Sequence, residues 1–336
     1  MMHGTMWNVP AASIERTATV ADPTVSVILP TYNRGAIVLQ SVQSVLALEE
    51  ENFEIIAVDD GSQDDTLGVL TKFDHPRLSV ISLATNRGAG SARNAGIALA
   101  RAPYVAFLDS DDLWLPGRLE LPLSVLRRHP DVGVVLSAFT TEKKSKLTHY
   151  PMPSRLYEGG ELERLVARHV LQPTTSGLTV RKDLLITVGG FNAGLRWMED
   201  RDLVMRAARH ADGATIEKPL WHKRWQPDSI SSNHNTYFPS LLTFLANHSI
   251  YEDQELEFRN YLIARHLAKM AYNSGILAAM RDYSEARDRL SPRLPPLSVL
   301  LMKYFGARRS RRAQQQELLT RGGKRRGIVE PYSVLS

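Results

Sequence analysis

The sequence predicts an α/β fold built on an open, mostly parallel sheet, and three observations predict it. Four short apolar runs rich in β-branched residues begin 28, 25 and 26 residues apart, at 25–29, 53–58, 78–83 and 104–108. The segments between them show helical periodicity. The first two runs, VSVIL and FEIIAV, are almost continuously apolar, as is typical of strands that are buried on both faces. Strand–helix–strand units of this length connect parallel strands by right-handed crossovers.

The helices between these runs are predicted in order by the spacing of their apolar residues. After the first run, Val38, Val42 and Val45 recur at the spacing of one helix face. After the third run, residues 89–101 are rich in alanine and follow the same period. From residue 236 the strand pattern stops, and the sequence predicts two or three amphipathic helices that end near the prolines at 292–296.

Composition divides the chain into four predicted segments, and charge separates the last one from the others. We predict a flexible extension at 1–22, an α/β domain at 23–235, a helical region at 236–296, and an amphipathic basic tail at 297–336. The basic tail holds nine Lys/Arg and two Glu, a net charge of +7, whereas the whole chain carries +5. The rest of the chain is therefore slightly acidic, and this argues against nucleic acid as a partner. The basic tail is predicted either to dock as a last helix or to contact an anionic membrane.

Several classes of protein are excluded by simple absences from the sequence. The chain contains no cysteine, which excludes disulfide scaffolds, thiolate metal sites and cysteine nucleophiles. No apolar run reaches the length of a bilayer-spanning helix. The first residues lack the apolar core of a signal peptide, so we expect a cytoplasmic protein.

Polar and acidic residues follow each of the four predicted strands. The clusters are Pro30-Thr31-Tyr32-Asn33-Arg34, Asp59-Asp60-Gly61-Ser62, Thr85-Asn86-Arg87-Gly88 and Asp109-Ser110-Asp111-Asp112. Any one of them also fits an ordinary turn or helix cap. Because open α/β sheets bind ligands at the carboxyl ends of their strands, four clusters in succession predict a binding site at that edge.

The chemistry of this edge favours a metal-bridged diphosphate. The third glycine of a dinucleotide fingerprint is replaced by Arg93, and no phosphate-binding loop with a Gly-Lys-Ser/Thr ending is present. Asp109, Asp111 and Asp112 would repel a bare phosphate but would hold Mg²⁺ or Mn²⁺, which bind carboxylates together with substrate phosphates. The sequence therefore predicts a nucleotide-activated substrate.

The motifs together resemble those of a family 2 glycosyltransferase of the GT-A fold, of the bacterial polysaccharide-biosynthesis type. The resemblance is carried by VSVILPTYNR, IIAVDDGSQDDT, NRGAGSARNAGIALARAPYVAFLDSDDLWLPGRL and VGGFNAGLRWMEDRDLVMRAA, in family order, over roughly residues 24–232. It implies a GT-A domain at 23–235. It further implies an inverting, metal-dependent transfer from a nucleotide sugar, most simply a UDP-sugar, in cell-surface or exopolysaccharide synthesis.

The resemblance also implies a role for each donor-side residue. Tyr32 is similar to the residue that stacks on the base, with Pro30 and Arg34 beside it. Asp60 is similar to the residue that hydrogen-bonds the base, and Asp59 either shares that work or shapes the turn. Either Arg87 or Arg93 is implied to contact the diphosphate, and the resemblance does not decide between them. Asp111 and Asp112 are similar to the pair that contacts the metal and the ribose, and Asp109 is implied to support them from the strand end.

On the acceptor side, the resemblance implies that Asp200 is the catalytic base and that Glu199 supports it. A base is needed because the acceptor hydroxyl is a poor nucleophile until it loses its proton. We expect Asp200 at the start of a helix, whose positive end would lower its pKa. The roles of His222 and Arg224 stay open between diphosphate contacts and plain surface positions.

The implied partners are a nucleotide-sugar donor and a saccharide or polyprenyl-diphosphate-linked saccharide acceptor. A location on the inner face of the plasma membrane would follow from a lipid-linked acceptor. Two alternatives stay open: a nucleotidyltransferase that makes the nucleotide sugar, and a non-catalytic protein that binds it. The first would normally show a glycine-rich basic loop after strand one, where this chain has Pro30-Thr31-Tyr32-Asn33-Arg34.

Overall fold

A computed structural model describes residues 12–48, 52–143, 146–225, 236–301 and 304. Within this part of the chain, eleven strands form one sheet. The strands are β1 (Ala12–Arg16), β2 (Val25–Thr31), β3 (Phe53–Asp59), β4 (Leu78–Leu83), β5 (Tyr104–Phe107), β6 (Leu113–Trp114), β7 (Val132–Lys143), β8 (Lys146–Tyr150), β9 (Arg155–Tyr157), β10 (Leu178–Arg181) and β11 (Asp212–Lys223). The order across the sheet is β1-β4-β3-β2-β5-β10-β7-β11-β6, with β8 paired to β7 and β9 to β11.

Residues 297–301 are helical, and ten further α-helices flank this sheet or follow it within the described residues. They are α1 (Val38–Leu46), α2 (Thr66–Lys72), α3 (Ala89–Leu99), α4 (Glu120–Arg128), α5 (Gly159–Ala167), α6 (Lys182–Thr187), α7 (Glu199–Ala207), α8 (Tyr237–Ala246), α9 (Leu256–Ser274) and α10 (Ile276–Arg289). None of the described helices has both the length and the apolar character needed to cross a bilayer.

The centre of the sheet is the parallel set β4-β3-β2-β5, as the sequence predicts. Every residue of β2 and β3 is buried, which explains why their sequences are apolar almost without a break. Helix α3 lies close against β2: a Cβ added to Gly96 would come 2.6 Å from Cγ2 of Ile28. The carboxyl ends of these parallel strands therefore meet at one edge, where the polar clusters begin.

Two features of the sheet differ from the sequence prediction. Residues 1–22 were expected to form a flexible extension, but β1 within them pairs antiparallel with β4, with Ser13 opposite Ser82. The sequence of β1, ASIER, has only two apolar residues and locally indicates a linker; only pairing with a strand far along the chain makes it a strand. Residues 1–11 lie outside the described residues. The sheet also becomes mixed, because β10 inserts antiparallel between β5 and β7.

The predicted C-terminal helices are present as α8, α9 and α10. Their buried residues, such as Leu241 and Ile263, join the same apolar core as Leu203 of α7 and Ile28 of β2. The helical region thus packs against the face of the sheet that carries α3 and α7. The division at 235/236 stays a prediction, and most of the basic tail lies outside the described residues.

Candidate functional site

The loop after β2 lies beside the loop after β3 at the carboxyl edge of the sheet. The buried Pro30 is the next-to-last residue of β2, opposite Val58. Tyr32 follows with an exposed ring. Farther along the same loop, the backbone N–H of Arg34 donates to Oγ1 of Thr66 at 2.8 Å. The exposed ring leaves an aromatic face available to a flat ligand.

Asp60 is buried and anchors the loop that follows β4. Its carboxylate accepts the backbone N–H groups of Arg87 at 2.9 Å and Gly88 at 2.6 Å. Burial raises the pKa of Asp60 above its ordinary value, although these two hydrogen bonds act in the opposite direction. Gly88 takes a φ of +95°, a conformation that other residues rarely adopt. Asp60 therefore positions Arg87, whose side chain is exposed.

Asp59 shapes the turn after β3, one of the two roles that the sequence left open. Its carboxylate accepts the hydroxyl of Ser62, and also the Ser62 backbone N–H at 3.1 Å. Burial raises its pKa, and the Ser62 contacts partly offset that effect. Asp59 is 1% exposed, so it contacts the turn rather than solvent.

The acidic cluster Asp109, Asp111 and Asp112 follows β5, as predicted. Asp112 is buried, and its Oδ2 accepts the hydroxyl of Ser176 at 2.6 Å. Burial raises the pKa of Asp112 well above its ordinary value, and the charges of Asp109 and Asp111 raise it further. Burial and the charge of Asp109 also raise the pKa of Asp111. The cluster thus holds more negative charge than its described surroundings compensate.

This excess of negative charge fits a divalent cation. Among the described residues, no three His, Asp or Glu side chains converge as a complete metal-binding group. A cation held here would therefore need oxygen atoms from its substrate as well, which is the usual arrangement for Mg²⁺ with phosphates. The donor set supports the fit, because the three carboxylates supply the oxygen ligands that Mg²⁺ and Mn²⁺ prefer and a cation between them would relieve their mutual repulsion.

His222 lies near the end of β11 and Arg224 directly follows that strand, and the two residues make different contacts. Nε of Arg224 donates to the backbone carbonyl of Asp111 at 2.6 Å, and its backbone N–H donates to Asp112 Oδ1 at 3.3 Å. Nδ1 of His222 lies 2.9 Å from the hydroxyl of Thr140, within the sheet. Arg224 therefore belongs to the acidic cluster, and His222 does not contact it.

Arg93 links the acidic cluster to the other predicted acids. It is 3% exposed, its Nη2 donates to Asp109 Oδ1 at 2.7 Å, and its Nη1 donates to Glu199 Oε1 at 3.2 Å. Its guanidinium lies over the ring of Phe191, 5.0 Å from the centroid. Both carboxylates raise the pKa of Arg93 against the effect of burial. Arg93 thus holds two protein acids, whereas the side chain of Arg87 is exposed.

Asp200 and Glu199 lie in the first turn of α7, where the sequence placed Asp200. The preceding Met198 has a φ of +67°, a strained conformation for a residue with a side chain, which turns the chain into the helix. Oδ1 of Asp200 accepts the backbone N–H of Arg201 at 2.7 Å. The expected lowering of the Asp200 pKa is wrong. Burial raises it, and this effect exceeds the opposing effects of Arg201 and Arg93.

Burial raises the pKa of Glu199 to about 7, although the Arg93 charge opposes this. Between about pH 4.5 and 7 the unfolded chain then loses this proton while the folded chain keeps it, so stability falls as pH rises. We expect Glu199→Gln to remove that fall. Its unfolding free energy, measured by urea titration in EDTA, should rise relative to that of the unsubstituted chain by about 3 kcal/mol across this window, because each pKa unit corresponds to about 1.4 kcal/mol. As a control, Glu285→Gln, at an exposed site, should show the same pH dependence of the unfolding free energy as the unsubstituted chain. If Glu199→Gln also showed that unchanged dependence, the pKa of Glu199 would be ordinary and the prediction would be wrong.

Three residues of the site were missed by the sequence analysis. Ser176 accepts the backbone N–H of Asp109 at 3.1 Å while it donates to Asp112. The hydroxyl of Ser41, on α1, donates to the carbonyls of Ser110 at 2.9 Å and Asp112 at 2.8 Å. The fully buried Arg118 donates to the carbonyls of Ser176 and Leu178 and to Thr179. Ser41 and Ser176 lie outside the motifs quoted above, and Arg118 lies near the end of one of them, but all three contacts join distant parts of the chain and could not be predicted from it.

Comparison with known proteins identifies the family of this arrangement. The profile of Glycosyl transferase family 2 matches residues 26–195. The chain is 34% identical over 108 residues to UDP-Glc:alpha-D-GlcNAc-diphosphoundecaprenol beta-1,3-glucosyltransferase WfgD of Escherichia coli, covering 32% of this chain and 43% of that protein. It is 41% identical over 97 residues to succinoglycan biosynthesis protein ExoO of Rhizobium meliloti, covering 29% and 28%. The chain spans less than two thirds of the length of such curated relatives.

Solved structures share the fold at low sequence identity. TarS 1–349 of S. aureus, in complex with UDP-GlcNAc, aligns with a TM-score of 0.65 and 19% identity over 89% of this chain and 91% of that one. The mannosyltransferase PcManGT of Pyrobaculum calidifontis, in complex with GDP-Man and Mn²⁺, aligns with a TM-score of 0.55 and 16% identity over 96% and 91%. These likenesses confirm the predicted GT-A fold class. With the family profile matching half of its residues, the chain belongs to glycosyl transferase family 2.

Proposed function

We propose that this protein is an inverting, divalent-metal-dependent glycosyltransferase. It moves a sugar from a nucleotide sugar, most simply a UDP-sugar, to a saccharide or lipid-linked saccharide in cell-surface or exopolysaccharide synthesis. The observation that carries the proposal is the connection made by Arg93. This buried cation contacts both Asp109, in the acidic cluster, and Glu199, beside Asp200. Donor-side and acceptor-side acids therefore share one site.

On the donor side, we assign the nucleotide to the loops after β2, β3 and β4. The exposed ring of Tyr32 would stack on the base. Asp60 would act at the base or through the loop that it already anchors, and Arg87 would face the diphosphate. WfgD is named for a UDP-Glc donor and the TarS structure is a complex with UDP-GlcNAc, so these two relatives favour a uridine nucleotide as the donor of this protein. The PcManGT complex instead contains GDP-Man, a guanosine nucleotide.

Asp111 and Asp112 would hold Mg²⁺ or Mn²⁺, and Asp109 would support them from the strand end. The cation would act as a Lewis acid that stabilises the charge of the departing diphosphate. The fold positions this cation site by burying Asp112 and by a hydrogen bond from the hydroxyl of Ser41 to the backbone carbonyl of Asp112. The presence of Mn²⁺ in the PcManGT complex supports this assignment.

On the acceptor side, Asp200 would take the proton of the attacking hydroxyl. Its raised pKa suits this role, because a base whose pKa lies nearer to the working pH is more effective. Glu199, held by Arg93, would orient the acceptor. Attack from the face opposite the leaving diphosphate gives a single displacement with inversion.

The proposal is tested with a panel of nucleotide sugars, scored by released nucleoside diphosphate with and without Mn²⁺ or Mg²⁺. We expect one uridine donor to be turned over, EDTA to abolish turnover, and added metal to restore it. Asp111→Asn should lose metal-dependent turnover, whereas Asp288→Asn, at an exposed site on α10, should keep it. Full turnover in EDTA would reject the metal role. Release of pyrophosphate from a nucleoside triphosphate and a sugar phosphate would instead indicate a nucleotidyltransferase.

A further inference from the structure

The corner between α9 and α10 exposes a group of large apolar side chains, which we call the apolar tip. It consists of Tyr272, Ile276, Leu277 and Met280, which are 91%, 72%, 84% and 53% exposed. Of the other large apolar residues exposed in the described part of the chain, Leu147 and Tyr150 share β8, and the rest lie on separate elements. An apolar group of this kind on a protein surface commonly marks a contact with a partner or a membrane.

The apolar tip projects because the two helices form an antiparallel hairpin. Helix α9 ends at Ser274, Gly275 turns the chain with a φ of +93°, and α10 starts at Ile276. Farther down, Nε2 of His266 on α9 lies 2.9 Å from Oδ2 of Asp282 on α10. At the rise of an α-helix, this contact lies roughly 12 Å behind the corner, and the four exposed side chains of the apolar tip lie between it and the corner.

Exposed cations surround the base of the apolar tip, and we call them the cationic collar. It consists of Arg265 and Lys269 on α9 and Arg281 on α10, all of which are exposed. The sequence has no Asp or Glu between residues 258 and 281. The next acid, Asp282, is buried against His266, and its Oδ1 also lies 3.4 Å from Nη2 of the exposed Arg281. The hairpin end is therefore apolar at its tip and positive one or two turns behind it.

We propose that the apolar tip inserts into the headgroup region of a bilayer that contains anionic phospholipid, with the cationic collar on the lipid phosphates. Amphipathic elements bury their apolar face about 5–10 Å into this region, which matches a tip followed by charges one or two turns behind it. A second copy of the chain fits less well, because two positive collars would face each other. The basic tail of the same chain is also a poor partner for the hairpin end, because both are positively charged. The contact goes beyond the proposed function and does not depend on the transfer chemistry.

The experiment is sedimentation of the full chain with vesicles of phosphatidylcholine, with and without phosphatidylglycerol. We expect binding that requires phosphatidylglycerol and weakens with salt. Ile276→Glu combined with Leu277→Glu should weaken it at least about tenfold, because two apolar side chains leave the bilayer. Lys269→Glu combined with Arg281→Glu should weaken it and remove most of its salt dependence. The control Ile186→Glu, at an exposed apolar site on α6, should bind normally.

Equal binding by the chain and both double variants would overturn the proposal, as would loss of binding only when residues 305–336 are removed, a truncation that keeps the buried Leu300. The latter result would assign the membrane contact to the basic tail. A tip variant that changes the sedimentation coefficient without vesicles would show a contact between copies of the chain, and would also overturn it. Thermal unfolding of each variant checks the fold. The five substituted side chains are exposed, so unchanged melting is expected, except for a small loss where Arg281→Glu removes the ion pair with Asp282.

Discussion

Replacement of Asp200 by asparagine should lower kcat at least about 100-fold, while donor binding stays nearly unchanged. Asparagine keeps the size of the side chain and an oxygen that accepts the Arg201 backbone N–H, now at 2.7 Å from Asp200. It removes only the ability to take a proton. Because burial already raises the pKa of Asp200, the neutral side chain should not destabilise the fold. The measurement pairs a sugar-transfer assay with calorimetry of nucleoside diphosphate binding.

Asp183→Asn is a matched control for this substitution. Asp183 also lies in the first turn of a helix, α6, and its Oδ1 accepts the next backbone N–H at the same 2.7 Å. It is exposed and lies outside the site, so its substitution should leave kcat unchanged. Transfer by Asp200→Asn at the unsubstituted rate would reduce Asp200 to a residue that stabilises the start of α7. Glu199 and Asp202 would then be the next candidates for the base.

The parallel part of the sheet could be predicted from sequence because its signals are local. A strand buried on both faces needs a continuous apolar run, and each run is followed within a few residues by its polar cluster. The predicted starts at Val25, Phe53, Leu78 and Tyr104 agree with the structure. The same locality explains why α7 could be placed at Asp200.

The remainder of the site could not be predicted because it depends on contacts between distant residues. Arg93 and Glu199 lie 106 positions apart, and Ser176 and Asp112 lie 64 apart. The antiparallel insertion of β10 brings Ser176 to the acidic cluster, and a four-residue strand has no periodicity long enough to indicate its partners. Sequence spacing left Arg93 and Arg87 equivalent for the diphosphate, whereas burial distinguishes them.

Replacement of Arg93 by methionine should cause a large loss of stability. Methionine keeps an apolar side chain of similar length but removes the guanidinium that lies over Phe191, and it leaves Asp109 and Glu199 without their shared cation. Removing one partner from a buried ion pair typically costs on the order of 3–5 kcal/mol. We expect a loss of this size in the free energy of unfolding at pH 8, measured by urea titration. Arg289→Met, which removes an exposed pair with Glu285, should cost well under about 1 kcal/mol.

The pH dependence of this loss identifies its cause. Because the pKa of Glu199 is about 7, its carboxyl is protonated in the folded chain at pH 5 and needs Arg93 less. The deficit of Arg93→Met should therefore shrink as the pH falls from 8 to 5. Adding Glu199→Gln to Arg93→Met should recover part of the stability at pH 8, because it removes one of the two uncompensated charges. Equal deficits at both pH values, with no recovery in the double variant, would show that Arg93 stabilises the fold by packing alone and would separate the two halves of the proposed site.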